Sequence, residues 1–256
     1  MASIDLNSDL GEAYGPWSMG EDEKMLSIVT SANIACGGHA GDPETMFSTL
    51  SQAARNGVSI GAHPGYADRL GFGRRIIPMS PVEISRMVAA QIGALRGVAA
   101  LARAEVSYVK PHGALANLAA DDAQVAKAIL DAVRAQSDKL AILAISGTVL
   151  EQVARAENLT VYSEIFADRA YLASGRLVPR SHPQAMLHDS AEATDRMVQF
   201  LESGKMPVLD GAPIALNAHS ICVHGDSPTA VTLAGELRQA LIDRGITIAP
   251  FSSRLP

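Results

Sequence analysis

Val106-Ser-Tyr-Val-Lys110-Pro-His112 is a short apolar run of β-strand type that ends directly in two ionisable side chains. Similar runs recur along the chain, and each of them also ends in a polar cluster. These clusters are Asn7, Asp9 and Glu12; His39 and Asp42; His63; Glu164; and His224 with Asp226. In βα folds the carboxyl ends of parallel strands meet on one face, and that face carries the chemistry. The repetition therefore predicts one enzyme-like site built from the whole chain.

The spacing of the strand-like runs predicts a closed α/β barrel. The runs begin near residues 3, 31, 58, 106, 140, 160, 219 and 246, and helical stretches lie between most of them. Seven or eight βα units in 256 residues favour a (β/α) barrel of parallel strands over an open sheet. The segment 204–218 predicts a hairpin or an irregular insert, which leaves the number of barrel strands open. No linker divides the chain, so we expect one domain over residues 1–256.

Bulk composition excludes several classes of partner. The net charge is −6 and no run rich in lysine or arginine occurs, so neither nucleic acid nor an anionic membrane is expected to bind. The apolar stretches are shorter than the roughly 18 residues of a membrane span, and no secretion signal is visible. Cys36 and Cys222 lie in separate strand-like runs and form no metal-spaced pair. We therefore expect a cytoplasmic protein.

Two loops are longer than βα units require. Residues 64–79 and 165–183 both follow a strand, so both should overhang the face that carries the site. Long loops in compact domains are often functional, and paired arginines beside glycines favour anion recognition. The alternative is an ordinary solvated loop with surface arginines. The residues concerned are Arg74 and Arg75 in the first loop and Asp168, Arg169, Arg176 and Arg180 in the second.

His39, His63 and His112 are each expected one or two residues past a strand end, and two roles are open for them. With Asp9 they could hold a divalent metal, because imidazole and carboxylate suit Zn²⁺ and related ions. They could instead act as general acids and bases, since the pKa of histidine lies near neutral pH. No local His-x-x-x-His spacing favours the metal, so the sequence leaves its presence open.

Charged groups at other strand ends suggest further roles. Lys110 ends a valine-rich strand, where it is either buried against carboxylates or directed into the pocket to bind a phosphate or an oxyanion. Glu164 has the same placement, with Arg169 as its expected ion partner. His224 and Asp226 precede a helix whose N-terminus could bind an anion. No phosphate-binding glycine loop, dinucleotide fingerprint or serine-hydrolase elbow occurs in the sequence.

Several longer motifs resemble those of the LamB/YcsF family, in the same order along the chain. They are Asp5-Leu-Asn-Ser-Asp-Leu-Gly-Glu12, Asn33-Ile-Ala-Cys-Gly-Gly-His-Ala-Gly-Asp-Pro43, Gly61-Ala-His-Pro64, Gly71-Phe-Gly-Arg-Arg75, Val109-Lys-Pro-His-Gly-Ala-Leu115, Phe166-Ala-Asp-Arg169 and Ile221-Cys-Val-His-Gly-Asp226. The resemblance implies a barrel of the glycoside hydrolase/deacetylase type. It also implies the role of the A subunit in the bacterial ATP-dependent 5-oxoprolinase, which works with the B and C subunits. That complex opens the lactam of 5-oxoproline to L-glutamate.

The resemblance and the strand-end pattern together predict the site residues. The expected catalytic residues are Asp9, His39, His63, Lys110, His112, Glu164 and Asp226. The expected substrate-binding residues are Asn7, Asn33, Arg74, Arg75, Asp168, Arg169 and His224. A phosphorylated lactam needs a cationic clamp, for which we expect Lys110 with Arg74 or Arg75. It also needs a base for water (Asp9 or His39) and an acid for the departing nitrogen (His112 or Asp226).

Some questions stay open at the level of sequence. ATP is consumed, either on this chain or mainly on a partner, and a homo-oligomer is possible. Gly38 and Ala116 stand where the family usually has phenylalanine and tyrosine, so the substrate is less well defined than the reaction class. Two rival functions have different requirements. A metal-dependent deacetylase or amidohydrolase would need no nucleotide, and a non-catalytic scaffold would need no pocket.

Overall fold

The computed structural model describes residues 3–225 and 230–254, and its centre is a closed barrel of seven parallel strands. The barrel strands are β1 (Ser3–Leu10), β2 (Ser31–Ala35), β3 (Ser59–His63), β4 (Val106–Val109), β5 (Ala141–Ile145), β6 (Val161–Phe166) and, after the two strands of a hairpin, β9 (Ser220–Cys222). The barrel closes because β1 pairs with both β2 and β9. The predicted α/β barrel of parallel strands is therefore confirmed.

The remaining strands explain why the sequence left open whether the barrel has seven or eight strands. The segment predicted as an insert forms an antiparallel hairpin of β7 (Lys205–Met206) and β8 (Ile214–Ala215) outside the barrel. β10 (Thr247–Ile248) pairs in parallel with the first two residues of β1. The following residues of β1, from Asp5 to Asn7, pair with β9. β10 thus extends the sheet at the amino-terminal end without entering the closed ring.

Helices cover the outside of the barrel. They are α1 (Asp22–Leu26), α2 (Pro43–Arg55), α3 (Pro81–Leu101), α4 (Gly113–Ala119), α5 (Ala123–Gln136), α6 (Val149–Ala156), α7 (Ser190–Ser203) and α8 (Ala230–Asp243), and a 3₁₀ turn spans Phe251–Arg254. Asp42 begins α2, because its carboxylate accepts a hydrogen bond from the Thr45 amide at 2.9 Å. Ser80 and Glu83 begin α3 with a reciprocal capping box.

Among the described helices, α3 is long and apolar enough to cross a membrane by length and composition alone. Its apolar side is buried through Ile84, Val88, Ile92 and Leu95, and the helix packs against α2, α5, β3 and β4. Burial of one apolar side is typical of a helix in the outer layer of a βα barrel.

The register of the strands places polar side chains in one layer. Asp9 lies beside Asn33, and Asn33 lies beside Gly61 on the next strand. The ring of Tyr108 fills the space where Gly61 lacks a side chain. The Tyr108 hydroxyl donates a hydrogen bond to Asn33 Oδ1 at 2.7 Å, so the glycine allows the tyrosine to support this layer.

Gly61→Ala should destabilise the barrel, because the new methyl group would overlap the Tyr108 ring. We expect the free energy of unfolding to fall by at least about 2 kcal/mol, as for other overpacked cores. Gly97→Ala is the matched control, since this glycine is exposed on α3 and nothing lies within 4 Å of the added carbon. There alanine should stabilise by roughly 0.5–1 kcal/mol. Urea unfolding measures the free energy of unfolding of both variants. Equal values for Gly61→Ala and Gly97→Ala would contradict this packing.

Candidate active site

A cavity of about 580 Å³ opens at the carboxyl ends of the barrel strands. Eight of the predicted site residues line it: Asp9, His63, Arg74, Lys110, His112, Glu164, Arg169 and His224. They come from the ends of five different strands or the loops that follow them, as the strand-end pattern requires. Their individual roles stay predictions.

Lys110 is almost fully buried at the centre of this group. Its ammonium nitrogen lies 2.9 Å from Asp9 Oδ1 and 3.1 Å from Glu164 Oε2. It also donates to Asn7 Oδ1 at 3.3 Å and to Cys222 Sγ at 3.2 Å. Burial alone would lower the pKa of Lys110, but the nearby anions outweigh it and hold the pKa well above its ordinary value. A cation is therefore fixed in the cavity wall.

The two carboxylates beside Lys110 differ in their acidity. Burial opposes the ionisation of Asp9, yet the neighbouring His63 and Lys110 outweigh it and keep the pKa well below its ordinary value. For Glu164 burial is the stronger effect, so its pKa is raised in spite of Lys110. A buried carboxyl with a raised pKa is a candidate for proton transfer near neutral pH.

The prediction that Arg169 is the ion partner of Glu164 is wrong. The Arg169 guanidinium donates instead to the carbonyls of Val178 at 2.7 Å and Ala185 at 3.3 Å. Burial, together with repulsion from Arg180, lowers the pKa of Arg169 to about 10. The backbone of the long loop after β6 thus holds this arginine at the cavity. The ion partner of Glu164 is Lys110.

Asn7 and Asn33 form a hydrogen-bonded layer beneath the cavity. Both side chains are fully buried, and neither belongs to the cavity lining. Asn33 Nδ2 donates to Asn7 Oδ1 at 2.7 Å and to Asp9 Oδ1 at 2.8 Å, while Asn7 Nδ2 donates to Ser220 Oγ at 2.6 Å. These bonds fix the orientation of the Asp9 carboxylate toward Lys110.

Three histidines and Glu12 form a second buried cluster beside the cavity. His39 Nε2 lies 3.0 Å from Glu12 Oε1, and His112 Nδ1 lies 2.9 Å from His63 Nε2. The His39 and His112 rings are stacked, with centroids 3.6 Å apart. His63 Nε2 also lies 3.3 Å from Asp9 Oδ2, which joins the cluster to the Lys110 network. Glu12 was not among the predicted site residues; its position three residues after Asp9 was the available signal.

In this cluster the environment favours the neutral form of two imidazoles, those of His39 and His112. Burial lowers the pKa of both His39 and His112 well below the ordinary value, and the neighbouring histidines lower it further. One ligand atom from each of Glu12, His39, His63 and His112 lies within 4.8 Å of the others. Such a set could hold a divalent metal ion.

Asp168 and His224 form a hydrogen-bonded pair after the neighbouring strands β6 and β9. His224 Nδ1 lies 2.9 and 2.8 Å from the two carboxylate oxygens of Asp168, and the imidazole stacks on Phe166. Burial opposes ionisation of Asp168, but His224 outweighs it and lowers the pKa. With Nδ1 fixed by the carboxylate, the Nε2 atom of this cavity-lining histidine is oriented for proton transfer.

The remaining predicted residues are separated from this group. Arg75 donates to Asp68 at 2.9 Å on the surface and does not line the cavity, whereas its neighbour Arg74 does. Asp226 lies outside the described residues. Of the two arginines predicted as a clamp with Lys110, the structure thus brings only Arg74 to the cavity.

Lys110→Met should destabilise the chain, because it leaves Asp9 and Glu164 buried without their cation. Removing one member of a buried ion pair costs about 3–5 kcal/mol. The double variant Lys110→Met/Glu164→Gln should regain part of the loss, since one orphaned carboxylate is gone. Lys127→Met, which removes a half-exposed lysine paired with Asp131, should melt like the parent. An unchanged melting temperature for Lys110→Met would contradict the buried network.

Known proteins resemble this chain over its full length. Residues 4–255 match the LamB/YcsF family. The protein named as A subunit 1 of the 5-oxoprolinase of Agrobacterium fabrum is 50% identical over 253 residues, which cover 99% of both chains.

Solved structures resemble this chain as well. The protein in the crystal structure of the lactam utilization protein from Thermus thermophilus is 40% identical to this chain, with a TM-score of 0.91 over 96% of this chain and 99% of that one. The catalytic domain of a peptidoglycan N-acetylglucosamine deacetylase from Eubacterium rectale shares the fold alone, at 12% identity and a TM-score of 0.52 over 99% and 90% of the two chains. The chain is a member of the LamB/YcsF family.

Proposed function

We propose that this chain is one component of an ATP-dependent 5-oxoprolinase that opens the lactam of 5-oxo-L-proline to L-glutamate. One observation carries the proposal: a cavity with a fixed buried cation in its wall lies at the barrel mouth of a chain that matches a 5-oxoprolinase A subunit from end to end. A cavity of this size is ample for a five-membered lactam.

The reaction needs coupling because a five-membered lactam is a stabilised amide. Transfer of a phosphoryl group from ATP to the amide oxygen makes the ring carbon electrophilic and turns that oxygen into a leaving group. Water then adds to the carbon, and the carbon–nitrogen bond breaks as the nitrogen takes a proton, which leaves the new carboxyl group as an acyl phosphate. A second water hydrolyses this acyl phosphate to glutamate and phosphate. The site therefore needs positive charge near the amide oxygen and a proton donor near the nitrogen.

The residues of the cavity can meet both needs. Lys110 and Arg74 supply positive charge for the oxygen and its phosphoryl group, and Arg169 can bind the substrate carboxylate. His39 does not line the cavity, and both ring nitrogens of His112 contact other groups, His63 and the Phe72 carbonyl, so we assign proton transfer elsewhere. Glu164, with its raised pKa, activates water, and His224, oriented by Asp168, protonates the nitrogen.

The B and C subunits complete the enzyme in this proposal. Relatives that match this chain over nearly their whole length carry the name of an A subunit, which supports a multi-subunit assembly. We infer that a partner binds most of the nucleotide, because this sequence lacks a recognised phosphate-binding loop. Since ATP is consumed, we place the complex in the cytoplasm.

The purified chain alone should not convert 5-oxoproline, and co-purified B and C subunits should restore turnover that depends on ATP. Glutamate and phosphate release are measured together and should be equal. Robust ATP-dependent turnover by the single chain would contradict the inference that a partner binds the nucleotide and would mean that this barrel binds it. No turnover by the assembled complex would contradict the proposed function.

The variant His224→Gln within the complex tests the site itself. Loss of a general acid should lower kcat by about 100-fold or more, with an unchanged melting temperature. His188→Gln is the matched control, because that histidine is exposed and outside the cavity, and it should keep full activity. Equal turnover by the two variants would remove His224 from the mechanism.

The histidine cluster favours one second candidate, a metal-dependent deacetylase or amidohydrolase. This enzyme would act without nucleotide and would lose activity to a chelator. The same preparations distinguish the two functions when they are assayed with and without ATP on 5-oxoproline and on N-acetylated sugars.

A further inference from the structure

We propose that Glu12, His39, His63 and His112 form a binding site for one divalent transition-metal ion of the zinc class, beside the lactam cavity. The four side chains come from the ends of four consecutive strands, β1 to β4, and all are buried. The proposal rests on the geometry of these side chains and is independent of the proposed function.

Hydrogen bonds to the backbone fix the tautomers of two of the rings. His63 Nδ1 lies 2.7 Å from the Lys110 carbonyl, and His112 Nε2 lies 2.9 Å from the Phe72 carbonyl. A carbonyl only accepts, so each of these nitrogens carries the proton. This arrangement, in which one ring N–H is held by a backbone oxygen, is the usual support for a metal-binding histidine.

The other nitrogens of these two rings then face each other with lone pairs. His63 Nε2 and His112 Nδ1 are only 2.9 Å apart. Two lone pairs at this distance repel, so a proton or a cation must lie against them. Asp9 Oδ2, at 3.3 Å from His63 Nε2, adds a further electron-rich atom beside this nitrogen. A metal ion satisfies both lone pairs without charging a ring.

The remaining atoms match the needs of such an ion. His39 Nε2 lies 3.0 Å from Glu12 Oε1, and that oxygen lies 3.6 Å from His112 Nδ1. Metal–ligand distances of about 2.0–2.2 Å place neighbouring ligands roughly 3 to 3.5 Å apart around one ion. Three imidazoles with one carboxylate select zinc, cobalt, nickel or iron over magnesium and calcium, which prefer oxygen ligands.

The loop after β3 supports the cluster at a conformational cost. Phe72 adopts a φ of 54°, which is strained for a residue with a side chain, and its carbonyl is thereby placed on His112. Gly73 lies so close that a Cβ would be 2.7 Å from His39 Cβ. His39 Nδ1 has no hydrogen-bond partner among the described residues although it is buried, so its ring is held by stacking and by whatever its Nε2 binds.

The test is the binding of Zn²⁺ and Co²⁺ by the purified full chain after removal of metal with a chelator. We expect one ion per chain by elemental analysis and calorimetry, a visible absorption band for bound Co²⁺, and no competition from excess Mg²⁺. Glu12→Gln and His63→Ala should each weaken Zn²⁺ binding by more than about 100-fold, the upper end of the loss for an outer-shell partner. His188→Ala, which changes an exposed histidine elsewhere on the chain, should bind as the parent does.

Circular dichroism of each metal-free variant separates loss of the site from loss of the fold, and Glu12→Gln changes the shape least. Absence of saturable Zn²⁺ binding by the folded parent chain would overturn the proposal, as would parental affinity in both Glu12→Gln and His63→Ala. If the chain binds Zn²⁺ but its complex with the B and C subunits does not open 5-oxoproline, the metal site is supported and only the proposed function is contradicted.

Discussion

The burial of one ammonium group organises the mouth of this barrel. A lysine in the wall of a βα barrel is tolerable only if anions and hydrogen-bond acceptors surround it, because the cost of removing its charge from water is several kcal/mol. Here Asp9 and Glu164 provide those anions from strands far apart in sequence. Asn33 donates to the Asp9 carboxylate from beneath, and Asn7 accepts a hydrogen bond from Lys110 itself. The strand register and the buried asparagine layer thus place hydrogen-bond acceptors and anions around the Lys110 ammonium group.

Asp9 connects two groups of different chemistry. One of its oxygens accepts from Lys110, and the other lies 3.3 Å from His63 in the histidine cluster. The first group supplies a fixed cation at the cavity, and the second supplies neutral nitrogen donors. Because Asp9 belongs to both, the charge state of one group is coupled to that of the other. The Lys110 network and the histidine cluster therefore act as one electrostatic unit, and His224, which follows the strand beside Asp9, also lowers the pKa of Asp9.

Local patterns predicted the barrel and most of the ionisable side chains that line the cavity, since strand ends and helix caps are encoded over a few residues. Ser80 with Glu83 marked the start of a helix, and the polar residues after each strand marked the active face. Contacts between strands were harder to predict. Arg169 was assigned to Glu164 because the two are close in sequence, whereas Lys110 reaches Glu164 across the barrel. Glu12 was passed over because its partner, His39, follows a different strand.

A crystal structure of the chain with bound 5-oxo-L-proline tests the proposed lactam site most directly. We expect the lactam in the cavity, with its amide oxygen toward Lys110 and its nitrogen within hydrogen-bond distance of His224 Nε2. We also expect the ligand carboxylate to contact an arginine of the cavity wall, Arg74 or Arg169. A ligand bound elsewhere on the chain, or held in the cavity without contact to Lys110 or His224, would contradict this assignment.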